Sequence, residues 1–565
     1  MEYIILGCTL LLLVVFVMCK EYISTRNLQR RFLEKVFEIY GVPPERDYRA
    51  EEMEHIRMYY LKHPLPHQID DITWDDLDMD SIYRSINVSG SAAGDEYLYY
   101  MLRSPVYEPE KMEHLEELIR HFMENSQDRQ AAQRILFGLG RMGKYSIYEY
   151  LENLDTLGER SSGKYLLSDL MIFVCIAMMF GSLPIGVVCL LGVLCYNITG
   201  YFREYKEIEP YITSFRYINR LLSSAEQLGR SRIGGISMEK ERLLECFGSM
   251  KSFIRDTYLI VFTEKGNGNP LGVLVDYLRM VFYLDLIQFN KALHAVRGHM
   301  PEIDEMITLL GQLDAVVTIG SYRNSLQEGY CIPSIRFGQG AGRHMTIEQA
   351  YHPLLADPVK NSISADKGVL LTGSNASGKS TFLRAVAVNA VLAQTIHTCL
   401  ARRYEAPAWR IYSSMSLRDD LVSGQSYYMV EIRSIKRILD QVEEAAKEHS
   451  YVLCFVDEVL RGTNTVERIA ASTQIMKMLS LGNALCFAAT HDVELTKLLE
   501  SEYDNYHFEE RIEEDDIFFP YKLMEGPATT RNAIALLKML GYDERIISDA
   551  EAMAEKFLAG GGWQR

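Results

Sequence analysis

The sequence has no two cysteines at CxxC spacing, although ten cysteines occur among its 565 residues. Five of them lie inside two long apolar blocks, and the other five are scattered singly along the chain. This distribution excludes the closely spaced ligands of a zinc site and the framework of a disulfide-rich protein. The cysteines are therefore predicted to be small hydrophobic residues in a reducing compartment.

Net positive charge, internal repeats and low-complexity linkers are also missing from the chain. The formal net charge is −17, and 48% of the residues are hydrophobic. This composition excludes a disordered or collagen-like protein and suffices for about three or four packed units. The acidic balance argues against a protein that coats nucleic acid through bulk charge, so DNA binding would need a local basic patch.

The N-terminal block Tyr3–Cys19 contains no charged residue and would be about 25 Å long as a helix. Basic residues follow it from Lys20 to Lys35, and the positive-inside rule places this flank in the cytoplasm and the N-terminus outside. A cleaved signal peptide is the alternative, but no basic segment precedes the block and no small-x-small site follows it. The block is therefore predicted to be an uncleaved transmembrane anchor.

A second apolar block, Tyr165–Phe202, contains Asp169 as its only charged residue. The turn Gly181-Ser182-Leu183-Pro184 interrupts it, so two spans of about 16 to 18 residues fit its length. The basic flanks at Lys164 and Arg203 would both be cytoplasmic. The alternative is a buried helical hairpin of a soluble domain. Three spans predict a multi-pass membrane protein whose other parts are cytoplasmic.

Apolar residues at three- and four-residue spacing predict helices over residues 70–159 and again over 207–330. The run Leu271–Phe289 is apolar enough for a fourth span, but Asp276, Arg279 and Asp285 favour a core helix because a charge at the bilayer centre is costly. The predicted helices of the second region are Ile212–Gln227, Met238–Thr263, Leu271–Val296 and Glu302–Ile319.

After about Cys331 the pattern changes to short β-like runs that alternate with helices. The clearest runs are Gly368–Leu371, Tyr451–Val456 and Ala484–Ala489. Strands that alternate with helices indicate an α/β unit with a mostly parallel sheet.

The strongest single motif is a GxxxxGK[ST] loop between strand Gly368–Leu371 and the predicted helix Phe382–Ala393. In such a loop, backbone N–H groups and the helix N-terminus bind phosphate oxygens. Lys379 is expected to pair with the β- and γ-phosphates of ATP, and Ser380 to ligate Mg²⁺. The alternative is a glycine-rich turn without a ligand. The residues expected to bind the nucleotide are Gly373, Ser374, Asn375, Ala376, Ser377, Gly378, Lys379, Ser380 and Thr381.

Two carboxylates and a histidine follow the next two predicted strands. Asp457 and Glu458 come directly after Tyr451–Val456, at the strand end where open α/β sheets bind ligands. Asp457 is expected to hold Mg²⁺, and Glu458 to act as the general base that polarises the attacking water. His491 follows Ala484–Ala489 and could sense the γ-phosphate, although a lone histidine is more often an ordinary polar residue.

Residues from about 330 to 556 resemble the ATPase domain of the MutS DNA mismatch-repair family. Segment 79–105 also resembles the start of the helical core of that family, and 207–330 is weakly similar to its lever and clamp helices. The matching segments are Tyr351-His352-Pro353-Leu354-Leu355, Asn361, GSNASGKSTFLR (373–384), 419–431, DEVLRGTNT (457–465) and AATHDVELT (488–496).

The resemblance implies an ABC-type ATPase that works as a dimer, with ATP and Mg²⁺ held between two subunits. Ser423 and Ser426 would belong to the loop that reaches the partner's nucleotide, and Arg461–Thr465 would lie at the dimer seam. The implied fold class is an α/β P-loop ATPase domain at the C-terminus, preceded by an all-α core and lever region that transmembrane helices interrupt. A site shared by two subunits would make hydrolysis depend on closure.

Four departures from the family pattern accompany the resemblance. Only about 60 residues separate the first predicted span from the core, so the N-terminal mismatch-reading domain with its Phe-x-Glu wedge is expected to be missing, and no Smr domain is expected after the ATPase domain. Leu460 stands where the family usually has glycine, and Asn464 where it usually has serine.

Residues 210–300, where a clamp would lie, contain 12 Lys and Arg against 8 Asp and Glu, a local charge of +4. Such a patch could support salt-sensitive DNA binding that does not depend on sequence, and the alternative is ordinary solvated helix faces.

Two hypotheses for the function follow. The first is a membrane-anchored ATPase clamp, expected to be a homodimer, that binds mismatched or structured DNA. The second is a membrane ATPase that acts on a protein or envelope partner without DNA. A conventional transporter is disfavoured, because the spans contain no ionisable pair.

The two hypotheses share one predicted domain organisation. It comprises a transmembrane anchor (1–20), a juxtamembrane helical segment (21–69), the first part of the helical core (70–164), a transmembrane hairpin (165–202), a helical core, lever and clamp-like region (203–330) and a MutS-like ATPase domain (331–565).

Overall fold

The computed structural model describes residues 20, 24, 31–141, 145–158, 160–257, 277–338, 340–374, 377–415, 427–460, 463–513, 516–528, 534, 537 and 541–560. The predicted anchor Tyr3–Cys19 lies outside the described residues. The chain forms two compact units. The first unit takes the described residues up to Pro64, with Ile86–Tyr100 and Glu116–Ser325, and the second takes Leu65–Ser85, Met101–Leu115 and the described residues from Leu326 onward.

The first half of the chain is helical, as its apolar spacing predicts. Its helices, in chain order, are α1 (Ala50–Ile56), α2 (Met58–Lys62), α3 (Asp71–Asp76), α4 (Met79–Ile86), α5 (Ala92–Arg103), α6 (Pro109–Glu124), α7 (Ser126–Leu139), α8 (Ile147–Thr156), α9 (Gly163–Met179), α10 (Leu183–Gly229), α11 (Ser237–Asp256), α12 (Leu284–Gly298) and α13 (Met300–Ser325).

The core of the first unit forms where α7, α11 and α13 pack against the C-terminal half of α10. The prediction of one continuous helix over Leu271–Val296 is wrong in one respect. In its described part the helix breaks at Tyr283, whose φ is +48°, and α12 begins at the next residue. Arg279 and Asp285 are both buried, with Nε and Oδ1 2.7 Å apart. Paired burial of these two charges agrees with the predicted core position; Asp276 lies outside the described residues.

A buried carboxylate organises the start of this core. Asp95 in α5 is 3% exposed and accepts hydrogen bonds from Arg46, Arg141, Asn87 and Ser89 at 2.7–3.1 Å. Burial alone would raise the pKa of this carboxyl, but Arg141 and Arg46 outweigh that effect and hold the pKa below its usual value. One side chain therefore joins the segment before α1, the turn before α5 and the residue after α7.

Asp95→Ala is expected to lower the local free energy of unfolding by about 3 kcal/mol, because Arg46 and Arg141 would lose their shared partner. Amide hydrogen exchange in α5 and α7 measures this change within the intact chain. The exposed Asp47→Ala variant is the matched control and should stay within about 0.5 kcal/mol of the wild type. Equal exchange rates in the two variants would contradict the assigned role of Asp95.

The second predicted apolar block forms a helical hairpin made of α9 and the first part of α10. Its turn coincides with the predicted break at Gly181–Pro184, and a Cβ on Gly186 would lie 2.6 Å from the backbone nitrogen of Met179. Asn197 is fully buried and donates to the carbonyl of Val281 at 2.9 Å. Outward-facing apolar side chains include Leu166, Leu167, Leu170, Phe173, Phe180, Leu183, Ile185, Val188 and Leu191, each 56–92% exposed.

The alternative prediction was a buried helical hairpin of a soluble domain. The apolar side chains of this hairpin are instead exposed. Among the described residues, α10 is the one helix long and apolar enough to cross a membrane, and 11% of its most apolar window is buried. Because it rests on length and composition alone, the finding of one such helix is weak evidence of a membrane span. The prediction of three spans is not established by these features.

The second unit combines two larger sheets and a short hairpin with helices. Its elements are β1 (Ser334–Arg336), β2 (Met345–Ala350), β3 (Asn361–Ala365), β4 (Gly368–Thr372), α14 (Lys379–Thr395), β5 (Arg403–Pro407), β6 (Trp409–Ser414), α15 (Tyr427–Lys447), β7 (Tyr451–Asp457), α16 (Thr465–Leu479), β8 (Ala484–Ala489), α17 (Glu494–Leu498), β9 (Tyr503–His507), β10 (Arg511–Glu513), β11 (Asp516–Phe518), β12 (Met524–Glu525) and α18 (Glu544–Gly560).

The main sheet has the order β12-β9-β4-β8-β7-β6, and every pairing except β12 with β9 is parallel. The central strands β4 and β8 are buried at every position, as expected for strands covered on both faces, and the edge strand β6 is buried at every position as well. A smaller sheet of order β1-β5-β2-β3 belongs to the same unit. The fold class is therefore a helical N-terminal region followed by an α/β unit with a mostly parallel sheet.

Candidate functional site

The carboxyl ends of β4, β7 and β8 lie side by side in the main sheet. Leu371 pairs with Ala489, and Ala489 pairs with Asp457 on its other side. Residues that directly follow these strands therefore meet at one sheet edge, where parallel α/β sheets bind ligands. The predicted phosphate loop, the two predicted carboxylates and His491 all follow these three strands.

Two glycines allow the backbone of the phosphate loop to turn tightly. Gly373 has φ +141°, and a Cβ at this position would lie 2.5 Å from the carbonyl oxygen of Phe508. Gly378 has φ +109° and caps the N-terminus of α14. Side chains are excluded at both positions, so the loop can bring its backbone close to a ligand.

The ammonium group of Lys379 lies inside the loop. Its Nζ donates to the carbonyl oxygens of Gly373 at 2.7 Å and Ser374 at 2.8 Å, and the residue is 5% exposed. The Ser377 hydroxyl also donates to the carbonyl of Ser374, at 2.9 Å. The loop therefore holds one positive charge beside the N-terminus of a 17-residue helix, an arrangement that attracts phosphate.

Ser380 and Asp457 meet across the sheet edge. The Ser380 hydroxyl donates to Oδ2 of Asp457 at 2.5 Å. A hydroxyl and a carboxylate oxygen at this separation are hard ligands of the kind that Mg²⁺ prefers beside a phosphate. Among the described residues no group of three or more His, Cys, Asp or Glu could hold a metal alone. The pair therefore suits an ion whose other ligands are water and phosphate.

Glu458 and His491 form the second pair at this edge. Oε1 of Glu458 lies 3.1 Å from Nε2 of His491, and the two side chains are 25% and 40% exposed. The backbone at Glu458 is left-handed, with φ +60°, while its N–H donates to the carbonyl of Ala489 at 2.9 Å. The strained backbone turns the carboxylate out of the strand direction and leaves it accessible to solvent.

Leu460 also has a left-handed backbone, with φ +62°, although it stands where the resembled family has glycine. For a leucine this conformation costs about 1 kcal/mol or more. Burial of the side chain, which is 5% exposed, and donation of its N–H to the Glu431 carboxylate both favour the conformation. The chain therefore retains the backbone path of a glycine at this position.

A cavity of about 450 Å³ extends from the phosphate loop. Its wall includes segments that precede β3 and follow β9, as well as the first turn of α14. Tyr351, His352, Asn361, Phe508 and Tyr521 are among the residues that line it. Its size and its apolar and aromatic lining suit a nucleoside attached to the bound phosphates.

Motif reasoning missed several residues of this site. Ser374 donates through its hydroxyl to Glu510 at 2.7 Å, and Tyr521 lies 3.1 Å from a Cβ built on Gly378. Glu510, Tyr521 and Phe508 follow β9, an edge-proximal strand without a recognisable motif. The parallel pairing of β9 with β4 brings Phe508 and Glu510 to the loop, and Asn361 of β3 donates to the carbonyl of Tyr521 at 2.9 Å; sequence spacing carries no signal of either neighbour.

The predicted site residues thus divide into two groups. Gly373, Ser374, Ser377, Gly378, Lys379, Ser380, Thr381, Asp457, Glu458 and His491 lie at one sheet edge, with Thr381 exposed on the first turn of α14. Asn375, Ala376, Ser423 and Ser426 lie outside the described residues.

His352 is a buried neutral residue in the cavity wall. Burial, together with the charge of Arg384, lowers its pKa to about 4, and Asp78 offsets only part of this shift. Because the unfolded chain binds a proton at His352 between pH 6.5 and 4 while the folded chain does not, stability is expected to fall as the pH drops through this window. The loss should approach about 3 kcal/mol.

Thermal unfolding of the wild type and of His352→Asn between about pH 7 and 4 tests this expectation. The asparagine variant cannot titrate and should lose less stability with falling pH, whereas His344→Asn, a half-exposed histidine of the same unit, should follow the wild type. Parallel pH profiles of the wild type and the His352 variant would contradict the buried neutral state.

Comparison with known proteins agrees with this geometry. Residues 369–558 match the family MutS domain V. The DNA mismatch repair protein MutS of Thermus thermophilus is 32% identical over 271 residues, which are 46% of this chain and 31% of that protein. MutS of Thermus aquaticus is 32% identical over 261 residues, which are 45% of this chain and 30% of that protein.

A third MutS, from Lactobacillus delbrueckii subsp. bulgaricus, is 29% identical over 287 residues, or 48% of this chain and 32% of that protein. This chain spans about a third of the length of the curated relatives that it matches. A MutS domain V is an ABC-type ATPase domain, which implies ATP hydrolysis. Residues 369–558 of this chain therefore match a MutS domain V ATPase, and nearly half of the chain is similar in sequence to DNA mismatch repair proteins.

Proposed function

We propose that this chain is a membrane-anchored, dimeric ATPase that couples ATP binding and hydrolysis to a clamp-like hold on DNA. The observation that carries the proposal is the convergence of the Lys379 loop, the Ser380–Asp457 pair and the Glu458–His491 pair at one edge of a parallel sheet. Each pair supplies a group that phosphoryl transfer to water requires.

In this proposal the loop binds the phosphates through its backbone N–H groups and Lys379. Ser380 and Asp457 would hold Mg²⁺, which would supply charge neutralisation at the phosphates. Glu458 accepts the proton of the attacking water, and His491 orients Glu458 through their 3.1 Å contact and senses the γ-phosphate. The aromatic cavity beside the loop receives the nucleoside.

Membrane attachment is proposed on the exposure of the hairpin. Its apolar side chains face outward over both helices, whereas soluble proteins rarely expose apolar patches of this extent. Lys164 and Arg203 flank the hairpin on one side and would lie at the cytoplasmic surface. Together with the anchor predicted over Tyr3–Cys19, the hairpin would make three spans and leave the ATPase domain in the cytoplasm.

We propose that α10 couples the helical core to the membrane hairpin, because this helix is continuous for 47 residues or about 70 Å. Its first part belongs to the hairpin, and its last part is buried in the core of the first unit. Pro210, inside the helix between these parts, lacks a backbone N–H and is a natural bending point. Movement of the helical core would therefore reach the membrane hairpin through a single element.

Dimerisation through the ATPase domain is proposed from the family resemblance, with Ser423 and Ser426 facing the partner's nucleotide. Val466, which follows the predicted seam Arg461–Thr465 directly, is 76% exposed in the first turn of α16. An exposed apolar residue beside a predicted seam suits a protein contact. A monomer is expected to hydrolyse ATP poorly.

DNA binding is proposed to use the cationic faces of α10 and α11. Arg216, Arg220 and Lys251 are exposed there and Arg232 is exposed in the segment between the two helices, whereas Arg230 and Arg242 are paired with Glu226 and Glu305. A few exposed cations can support weak, salt-sensitive contacts with phosphates and no base reading. Non-specific or structure-specific DNA is the class of ligand that such a surface would bind.

The ATPase rate of the detergent-solubilised dimer, with and without duplex or branched DNA at two salt concentrations, tests this proposal. Stimulation should fade with salt and should weaken in Arg216→Gln/Arg220→Gln, while Lys367→Gln in the second unit should behave as the wild type. Indifference to every DNA would reject the DNA part and favour the alternative, a membrane ATPase that acts on a protein or envelope partner.

Topology is tested separately with a reporter fused after Arg565. The reporter should be cytoplasmic, and the chain should stay in the membrane fraction after carbonate extraction. An outside location would overturn the three-span arrangement without affecting the ATPase assignment.

A further inference from the structure

Two cysteines of the second unit face each other across a β-bridge that belongs to neither sheet. Cys331 and Cys399 are antiparallel partners, and each N–H donates to the carbonyl of the other at 2.8 and 3.0 Å. Residues paired in this way have Cα atoms about 5.5 Å apart, which lies inside the range that a disulfide bond spans. We propose that Cys331 and Cys399 form a thiol–disulfide modification site that reacts with small-molecule disulfides.

The two thiols differ in the properties that such a reaction needs. Cys331 is partly exposed, and its hydrogen-bonding contact with Cys399 lowers the pKa of its thiol. Cys399 is fully buried, which raises the pKa of its thiol well above the usual value. Cys331 is therefore the sulfur that meets the reagent, and Cys399 is the sulfur that resolves the product.

The reaction proceeds in two exchange steps. The Cys331 thiolate attacks one sulfur of glutathione disulfide, so that a mixed disulfide forms and one glutathione thiolate leaves. Cys399 then loses its proton and attacks the Cys331 sulfur, which forms the Cys331–Cys399 bond and releases the second glutathione. The two cysteines are oxidised by two electrons, and the reagent is reduced to two glutathione molecules.

Cβ atoms of a hydrogen-bonded antiparallel pair lie about 5.5 Å apart, whereas a disulfide needs about 3.5 to 4.5 Å. Bond formation must therefore draw the two strands together by about 1 Å. A bond under such tension is readily reduced, which makes the modification reversible.

A chain of contacts leads from this pair to the nucleotide cavity. The Cys399 thiol donates to Oδ1 of Asn389 at 3.2 Å, an oxygen that also accepts from the N–H of Leu400 at 2.6 Å, and Nδ2 of Asn389 donates to the carbonyl of Tyr351 at 3.0 Å. Tyr351 lines the cavity beside the phosphate loop. Oxidation removes the hydrogen of the Cys399 thiol and with it one partner of Asn389, so the cavity wall should loosen.

The same unit contains a matched pair that should not react. Cys454 and Cys486 are register partners on the neighbouring strands β7 and β8, and both are 0% exposed. In both pairs the two cysteines lie on neighbouring backbone segments, but a reagent can reach only the pair with the partly exposed Cys331. Selective reaction at the first pair is the specific expectation.

The experiment uses the full chain incubated with glutathione disulfide, followed by tryptic digestion without reduction and mass spectrometry. We expect a linked product of peptides 324–336 and 385–402, lost in Cys331→Ser and in Cys399→Ser, and no link between peptides 448–461 and 478–497. A mixed disulfide at Cys331 should accumulate in Cys399→Ser. A missing 331–399 link, or equal linkage of the two pairs, would overturn the proposal.

The effect on the nucleotide rests on the proposed function and is measured separately. Oxidation should weaken ATP binding by about 3- to 10-fold, dithiothreitol should restore it, and Cys331→Ser should show neither change. A linked peptide without any change in ATP affinity would keep the modification site and reject its connection to the cavity. Failure to bind ATP in the reduced state would instead reject the proposed function.

Discussion

Glu458→Gln is expected to bind ATP as tightly as the wild-type chain and to hydrolyse it about 100- to 10,000-fold more slowly. The carboxylate lies 3.1 Å from His491 and is open to solvent at the edge where Lys379, Ser380 and Asp457 converge. Glutamine preserves the size and the hydrogen bond but cannot accept the proton of the attacking water. Loss of turnover with intact binding is the pattern of a transition-state defect.

Single-turnover hydrolysis and equilibrium binding of ATP, measured on the same preparation, separate these two effects. Glu500→Gln, an exposed glutamate outside the site, is the matched control and should hydrolyse ATP normally. If the subunits dimerise around ATP, the Glu458 variant should also remain dimeric in ATP for as long as hydrolysis is blocked. Normal turnover in Glu458→Gln would refute its role as the base.

Lys379→Ala is expected to weaken ATP binding by about 100-fold or more. The ammonium is 5% exposed and held between two loop carbonyls, so it is already placed where the phosphates would bind. Its removal deletes the positive charge of the loop and takes one donor from each of the carbonyls of Gly373 and Ser374. Both effects reduce affinity rather than the rate of the chemical step.

Two further variants isolate the role of the charge. Lys379→Arg keeps the positive charge in a larger, planar group and should bind ATP more weakly than the wild type because the loop leaves little room for it. Lys367→Ala, an exposed lysine just before β4, should bind normally. Calorimetric titration with ATP measures all three, and wild-type affinity in Lys379→Ala would contradict the assignment.

Strand ends were the part of the site most accessible to sequence reasoning. The predicted strands Gly368–Leu371, Tyr451–Val456 and Ala484–Ala489 agree with β4, β7 and β8 to within one residue at each end. Short buried runs bounded by polar residues are readily recognised, and parallel strands carry the groups that follow them to the same edge. Lys379, Asp457, Glu458 and His491 were therefore predictable as a group.

Long-range neighbours were not predictable in the same way. Phe508 and Glu510 reach the phosphate loop because β9 pairs with β4, and the local sequence of β9 contains no sign of that partner. Tyr283 likewise breaks a helix that apolar spacing predicted to be continuous. In both places tertiary packing, rather than local preference, selects the conformation.

The cysteines also show which features local sequence predicts and which depend on tertiary structure. Their scattered spacing predicts small hydrophobic residues, and the eight cysteines in the described part of the chain are free thiols in the structure. Spacing could not reveal that Cys331 and Cys399, 68 positions apart, would face each other across a bridge. Only the tertiary path of the backbone, which places the segments that precede β1 and β5 side by side, determines that contact.

The sequence by itself determined the phosphate loop, the strands that deliver its partners and the hairpin break at Gly181–Pro184, because each depends on local composition or spacing. Only the tertiary structure decided that Ser380 meets Asp457, that the hairpin exposes its apolar side chains and that Leu460 takes a glycine backbone. These features depend on distant residues whose packing and hydrogen bonds offset the local cost.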